Sequence, residues 1–413
     1  MLRKLSSGVA SQIVNSVTNL TVGLLLIRHT SDQQYGYYIL LSTAVVFFTT
    51  LQTAFVQTPT VIRLTQAADS ARADLIGSLR TDQSRLTPLI ALVTTLGVAT
   101  AVSMGQLQLD RALLLLAGAA ALITGLRREF YRVMLFAMRL SGPVLLADTT
   151  AAILLIAGTA IATLTPDPTL AVAIAMSAAA LLSSILLANA LWRRRPWNRS
   201  APPGATRELF KQGAWSTLGA GARFLFSQGY SYLVAYNLSV ADIAALAATR
   251  LPLSPITMLS NGIAPTLLPT VAEWNNRLPP AIVLRRVAGI ALGMLALSSA
   301  YLAALWLARD LVFVDLLHKD FAQRDSLLLL WSVSTVVSTC RDPFMYFLTL
   351  RGHFRQTTTL TVLSAVVSLS VSLIAMREIG PIGAPVGVLT GELLNLIATA
   401  VSSVLAARGI LKQ

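Results

Sequence analysis

The sequence predicts an all-α integral membrane fold: twelve transmembrane helices in two six-helix lobes, related by a pseudo-two-fold axis along the membrane normal around a central cavity. Three observations predict it. The chain is 55% hydrophobic and only 12% charged, about half the charged share of a soluble domain. Apolar windows of roughly 20 residues, the length a span needs, recur along it, separated by short turns rich in Arg, Asp, Pro and Gly. Most of the 32 Lys and Arg residues fall on alternate connections, as the positive-inside rule requires.

The predicted spans are 8 to 27, 38 to 62, 86 to 106, 111 to 130, 142 to 164, 169 to 192, 211 to 236, 241 to 268, 284 to 308, 326 to 350, 357 to 376 and 381 to 406. Connections this short leave no room for a soluble catalytic or receptor domain, so function is expected within the helices. The basic groups Arg63, Arg72, Arg80 and Arg85, then Arg127, Arg128, Arg132 and Arg139, then Arg193 to Arg195, all read as cytoplasmic, which puts both termini there. The net charge of +14 is spread by loop rather than gathered with aromatics into a patch, which argues against nucleic acid. The single Cys340 excludes an intrachain disulfide. The opening "MLRKLSSGVASQ" starts like a signal peptide, but Gln12, Asn15 and Asn19 in the following helix make it a retained span.

Residues 192 to 210, "WRRRPWNRSAPPGATRELF", carry the densest linker signal and divide the chain into an N-terminal lobe, 1–195, a cytoplasmic linker, 196–210, and a C-terminal lobe, 211–413. Residues 32 to 61 align with 242 to 271. Asp32 meets Asp242, Leu41 meets Leu251, Ala54 meets Ala264, and Pro59-Thr60-Val61 meets Pro269-Thr270-Val271. An even number of spans per half gives both halves the same orientation, the arrangement of parallel transporter repeats around a cleft.

Polar residues at helical spacing mark the first two spans of each half. Span seven carries Ser216, Gly219, Arg223, Ser227, Tyr230, Ser231 and Asn237; span eight carries Arg250, Ser254, Thr257 and Asn261. Span one offers Gln12, Asn15, Ser16 and Asn19, and span two offers Ser42, Thr49, Gln52, Thr53 and Thr60. Ser, Thr and Asn also glue packed helices together, at about 0.6–2 kcal/mol per bond. Arginine is different, because at a helix centre it costs roughly 2.5–3.5 kcal/mol on insertion scales. Arg223 and Arg250 therefore need water, a ligand or a carboxylate. Two readings follow: a salt bridge to Asp148 or Glu392, or a cationic cleft for an anionic substrate, whose phosphate oxygens suit guanidinium forks. Along span twelve Gly383, Gly387 and Gly391 recur every four residues, the spacing of close helix approach. Glu392 beside that seam, like Asp148, is a candidate cation-coupling acid or a structural one.

The run "LLLIRHTSDQQYGYYILLSTAVVFFTTLQTAFVQTP", with Arg28, Asp32 and Tyr35-Gly36-Tyr37, resembles the opening of bacterial polysaccharide-biosynthesis flippases. The tail from Leu350, with its Gly-rich turn and the Gly391-Glu392 pair, is similar to that family's last two helices. The family belongs to the multidrug, oligosaccharidyl-lipid and polysaccharide exporter superfamily. The resemblance implies two alternating six-helix lobes in the bacterial inner membrane, which move a polyprenyl-pyrophosphate-linked oligosaccharide to the periplasmic leaflet for exopolysaccharide or O-antigen synthesis. The first two helices of each lobe line the cavity in that superfamily. Lipid II flippases usually carry two further C-terminal helices, absent here, whereas drug exporters have twelve but usually rely on acids in span one, where this chain has amides.

The expected substrate-binding set is Arg223, Arg250, Asn15, Asn19, Gln52 and Asn261, with Arg28 added from the matching opening; Asp148 and Glu392 are the cation-coupling candidates. No catalytic residue, cofactor or metal is expected, since His29, His318 and His353 stand apart and no phosphate-binding loop or nucleophile elbow occurs. Expected partners are the lipid-linked glycan, membrane lipids and a polysaccharide polymerase or export complex. The alternative is a cation-coupled multidrug exporter.

Overall fold

The computed structural model describes residues 2–54, 60, 63–64, 68–104, 108–138, 140–194, 197–321 and 323–411, except the side chains of 2–9, 69–70, 208, 210–213, 259, 261–266 and 268–269. The described residues form helices and no strands. The chain divides into two compact units, Met1–Gly221 and Ala222–Gln413.

The first unit contains α1 (Leu2–His29), α2 (Asp32–Gln52), α3 (Asp69–Ser103), α4 (Leu109–Ala137), α5 (Ser141–Ala162) and α6 (Pro168–Arg194), together with most of α7 (Ala205–Gln228). The turn before α2 is closed by a capping box: Ser31 Oγ accepts from the Gln34 amide, and the Gln34 side chain accepts from the Ser31 amide at 3.0 Å. Helix α6 packs along α4 and α5, and α5 along α1. Met134, Leu135, Val144, Leu187 and Leu191 are fully buried where these helices meet.

At 35 residues, α3 is about 52 Å long, well beyond the ~30 Å hydrocarbon core. Its extra length starts at Asp69, before the predicted span, and there it seats the segment that follows α6. The Asn198 side chain donates to Asp74 at 2.7 Å, and Asp82 accepts from the backbone amides of Gly204 (2.8 Å) and Thr206 (2.9 Å). Asp82 so places a negative charge at the positive end of α7. Trp197 packs against Trp192 and Tyr131, with Arg80 stacked over its ring. A side chain at Gly77 would run into the Asn198 carbonyl and lie 2.9 Å from Ala201 Cβ.

The second unit contains the end of α7, then α8 (Tyr230–Asn237), α9 (Val240–Arg250), α10 (Ser254–Arg277), α11 (Pro280–Leu307), α12 (Arg324–Leu350), α13 (Phe354–Ile379) and α14 (Gly383–Ala407). The seventh and eighth predicted spans are each interrupted here. Gly229 separates α7 from α8, and a 3-10 turn, Leu251–Leu253, separates α9 from α10. Pro252 and Pro255 are the reason for the second interruption: neither has an N–H, and each ring obstructs the preceding turn. The Pro252 carbonyl accepts from the Tyr301 hydroxyl at 2.7 Å.

Among the described residues seven segments are long and apolar enough to cross a membrane, and the longest, Phe354–Ala407, contains both α13 and α14. These two helices pack along a seam of small residues. Ser364, Ser368 and Ser372 of α13 are buried, and α14 presents Gly383, Gly387 and Gly391 to that helix. A Cβ on Gly387 would overlap the Ser372 hydroxyl and amide, and one on Gly391 would lie 2.7 Å from Ser368 Cβ and 2.6 Å from Phe226. The predicted four-residue glycine repeat is a close-approach seam. Gly387→Val is expected to destabilise by about 1–3 kcal/mol through overpacking, read as a lower thermal midpoint in detergent, while Leu393→Val on the exposed side is expected to leave it unchanged.

Between α11 and α12 an ionic cluster joins Arg324 to Asp310 (2.7 Å) and Asp325 (2.8 Å), and Arg309 to Asp325 (3.2 Å). The hydrogen bond from Arg324, with the charges of Arg324 and Arg309, holds the Asp325 carboxyl below its usual range. Its stabilising contribution is therefore present above the unfolded pKa of about 3.9 and is lost as pH falls through the lower folded value. Thermal midpoints of wild type and Asp325→Asn are expected to differ by a constant amount between pH 7 and 5 and to converge below about pH 4.

Candidate functional site

The second unit carries two linked polar clusters. At the interrupted helices, Arg250 ends α9 and reaches back to the last turn of α7. Its Nη1 donates to the Tyr230 hydroxyl at 2.8 Å, and to Gln228 Oε1 and the Ser227 carbonyl at 3.2 Å each. Its guanidinium carbon lies 4.6 Å from the centroid of the Trp331 ring and 5.4 Å from that of Tyr230. Among the described residues these partners of Arg250 are all uncharged, so its positive charge is oriented but not neutralised. A half-buried guanidinium held by ring faces and neutral acceptors keeps its capacity for an anion.

Nearby along α7, Arg223 lies 3.4 Å from Asp342, with 53% of its side chain exposed. Asp342 also accepts from Arg341 at 2.9 Å, and Arg341 pairs with Glu392 of α14. Arg341 and Glu392 are both buried, and Phe226 lies under the Arg341 guanidinium. Charge alternates along this chain, from Arg223 through Asp342 and Arg341 to Glu392.

The first unit has its own buried network. Asp148 of α5 is fully buried and pairs with Arg128 at 2.6 Å and Arg132 at 3.1 Å, both from α4. It also accepts from Ser11 and, at 3.4 Å, from Asn15. Arg128 donates to the Ser183 hydroxyl of α6 at 3.1 Å and to the side-chain oxygen Oδ1 of Asn15 at 3.2 Å. Four helices are thus tied to one carboxylate, in the manner of a satisfied interior ion cluster.

The expected site residues are therefore dispersed. Arg223 and Arg250 sit in the same unit with different partners, and the salt bridges weighed from the sequence form otherwise: Asp148 takes Arg128 and Arg132, Glu392 takes Arg341, and Arg223 leans on Asp342. Asn15 belongs to the Asp148 network, while Asn19 and Arg28 are exposed. Gln52 is buried and donates to the Leu126 carbonyl at 3.1 Å. The Asn261 side chain lies outside the described residues.

Several hydroxyls of the polar stripes turn inward on their own helices, among them Thr49 to Val45, Thr53 to Thr49 and Thr257 to Ser254, a bond that satisfies Ser and Thr without any wet surface. Arg128 and Arg132, counted from the sequence among the basic residues of the cytoplasmic ends and loops, lie inside α4. The available signal was an arginine followed by an acid within a long apolar run, Arg128-Glu129 in α4 and Arg341-Asp342 in α12. Tyr230 already stood in the predicted stripe of span seven, whereas Trp331 was recognisable only once the two interrupted helices were in place.

Removing one partner of a buried pair leaves the other charge uncompensated, at a cost of about 3–5 kcal/mol. Arg341→Met is expected to lower the thermal midpoint by a correspondingly large amount, and Arg341→Met with Glu392→Met to recover much of it. A double variant no more stable than the single one would count against the pair.

No protein-family model matches the chain, and no curated protein matches it in sequence. Solved structures match its fold. A multidrug resistance MATE family transporter of the MOP superfamily, in an inward-facing conformation, superposes with a TM-score of 0.73 at 15% identity, covering 97% of this chain and 95% of that one. The lipid II flippase MurJ, in an inward closed conformation, gives 0.74 at 11% identity, covering 97% and 87%. An outward-facing MATE structure gives 0.67 at 15% identity, covering 99% and 95%. At such identities the likeness is one of fold: the chain is a multi-pass membrane protein with the all-helical architecture of these transporters.

Proposed function

We propose that the chain is a flippase that moves a polyprenyl-pyrophosphate-linked oligosaccharide from the cytoplasmic to the periplasmic leaflet of the bacterial inner membrane by alternating access, for exopolysaccharide or O-antigen synthesis. The lobes would be 1–195 and 211–413 with a cytoplasmic linker, 196–210, and both termini cytoplasmic. The glycan would be handed to a polymerase or export complex. One observation carries the reading: Arg250 is fixed in place by Trp331, Tyr230 and neutral acceptors, with no carboxylate partner among the described residues. Arg223, largely exposed and sharing Asp342 with Arg341, supplies a second guanidinium within reach of solvent. Two such forks suit the oxygens of a pyrophosphate.

Transport under this reading makes and breaks no covalent bond. The head group must prefer neither end state strongly, because a ligand favouring one by about 5.5 kcal/mol would hold nearly all of the protein there. Anchoring by one uncompensated arginine and one shared arginine keeps the site moderate.

The second reading is a cation-coupled multidrug exporter, favoured by the fold likeness to MATE transporters. The two make opposite predictions for Arg250→Ala. For a flippase, cells carrying this variant in place of the wild-type gene are expected to accumulate lipid-linked intermediates, measured by mass spectrometry, and to export at least about tenfold less glycan, equivalent to ~1.4 kcal/mol of lost binding in the limiting step. Arg250→Lys should retain part of the activity if charge dominates, and Arg223→Ala should have the smaller effect. A folded Arg250→Ala variant with normal glycan export and unchanged or improved efflux of lipophilic cations would establish the exporter instead.

A further inference from the structure

We propose that Tyr230 and Gln228 are positioning residues for an anion: they hold one edge of the Arg250 guanidinium so that its other edge is presented to a phosphoryl group. The inference rests on the reading of Arg250 as an anion site and adds what sets the direction of its fork. A guanidinium carries five N–H donors in one plane, two on each terminal nitrogen and one on Nε. Among the described residues the hydrogen bonds of Arg250 all leave from Nη1, to the Tyr230 hydroxyl at 2.8 Å and to Gln228 Oε1 and the Ser227 carbonyl at 3.2 Å each. Nε and Nη2 donate to none of them. Those two nitrogens share an edge with a pair of parallel N–H groups, which accepts two oxygens of one phosphoryl group side-on.

The anchor exists because the helix is broken. In an unbroken helix the Ser227 carbonyl would accept from the Ser231 amide. Here α7 ends at Gln228 and α8 begins at Tyr230, and Arg250 donates to the Ser227 carbonyl across the break. Gln228 and Tyr230 flank the break residue, Gly229, and both side chains converge on Nη1. A positive charge at the end of α7 is also where the helix dipole favours it. The rings then fix the plane. The guanidinium carbon lies 4.6 Å from the Trp331 centroid, and the Trp331 and Tyr230 rings pack 5.0 Å apart with both residues buried. A ring against the guanidinium face leaves an anion the in-plane approach to Nε and Nη2. Capping α7 calls only for the Ser227 carbonyl; the two side-chain acceptors add direction, and because both are neutral they leave the charge to the ligand. A carboxylate in either place would position the arginine equally well and cancel it.

The test is calorimetric titration of the purified full chain in detergent with inorganic pyrophosphate, the thermal midpoint of each variant being measured alongside. Tyr230→Phe keeps both rings and removes one anchor, and is expected to weaken pyrophosphate binding about fivefold, as loss of one hydrogen bond does, with a midpoint close to that of wild type. Gln228→Glu keeps the anchor but supplies a carboxylate. It is expected to leave the midpoint unchanged or raised while weakening binding at least about tenfold. A helix-capping role alone would move stability and leave binding untouched, the reverse of both results. On an Arg250→Lys background, where the fork is gone, Tyr230→Phe should weaken binding little further. Equal losses in the two backgrounds would overturn the proposal, as would wild-type affinity in either Tyr230→Phe or Gln228→Glu, and those results leave the flippase reading standing. A wild-type protein that binds pyrophosphate no better than Arg250→Ala would overturn the anion site itself and the positioning with it.

Discussion

The pairing of arginine with carboxylate inside a helical unit is the interaction on which the rest of each unit depends. In hydrocarbon neither ion is tolerable alone, and the geometry must supply the counter-charge before the helices can close. The first unit gathers α1, α4, α5 and α6 around Asp148, and the second gathers α7, α12 and α14 around Arg341. Both centres draw their arginine from the helix that carries an Arg-acid dipeptide, yet the buried acid comes from α5 in one unit and from α14 in the other. The same physical demand is met twice with different partners.

Around these centres the remaining polar groups are satisfied locally. Ser and Thr hydroxyls bond to carbonyls of the preceding turn, and the Pro252 carbonyl released by the eighth span's interruption is taken by Tyr301. The Gly and Ser seam of α13 and α14 brings two backbones together without large side chains. Arg250 stands outside this economy, since its contacts orient it without cancelling its charge.

Much of this was legible in the sequence, and the exceptions have physical causes. Span positions follow from hydropathy because the bilayer imposes one length on every crossing. The Gly383, Gly387, Gly391 repeat announced its seam because only glycine serves there. Salt-bridge partners were not legible: Asp148 and Arg128 lie 20 residues apart on different helices, and the choice between Arg128 and Arg223 as partner depends on helix packing that no local pattern encodes. The polar stripes overstated the wet surface, because a hydroxyl facing a cleft and one bonded to its own helix look alike in a string of letters. Arg128 stands inside the predicted fourth span, 111 to 130, and what its position in the sequence does not show is the buried carboxylate it meets there.

The uncancelled charge of Arg250 has an electrical consequence. Within each buried network the arginines are matched by carboxylates, so those networks contribute little when a unit shifts in the transmembrane field. Arg250 does contribute, at about 2.3 kcal/mol for each elementary charge carried through 100 mV. On the flippase reading, the empty site is positive and is drawn toward the negative cytoplasmic side, where substrate waits. Once a pyrophosphate has settled there its negative charge exceeds that of the arginine, and the same voltage pushes the loaded site outward. The resting potential would thus bias both halves of the cycle in the productive direction without any coupling ion.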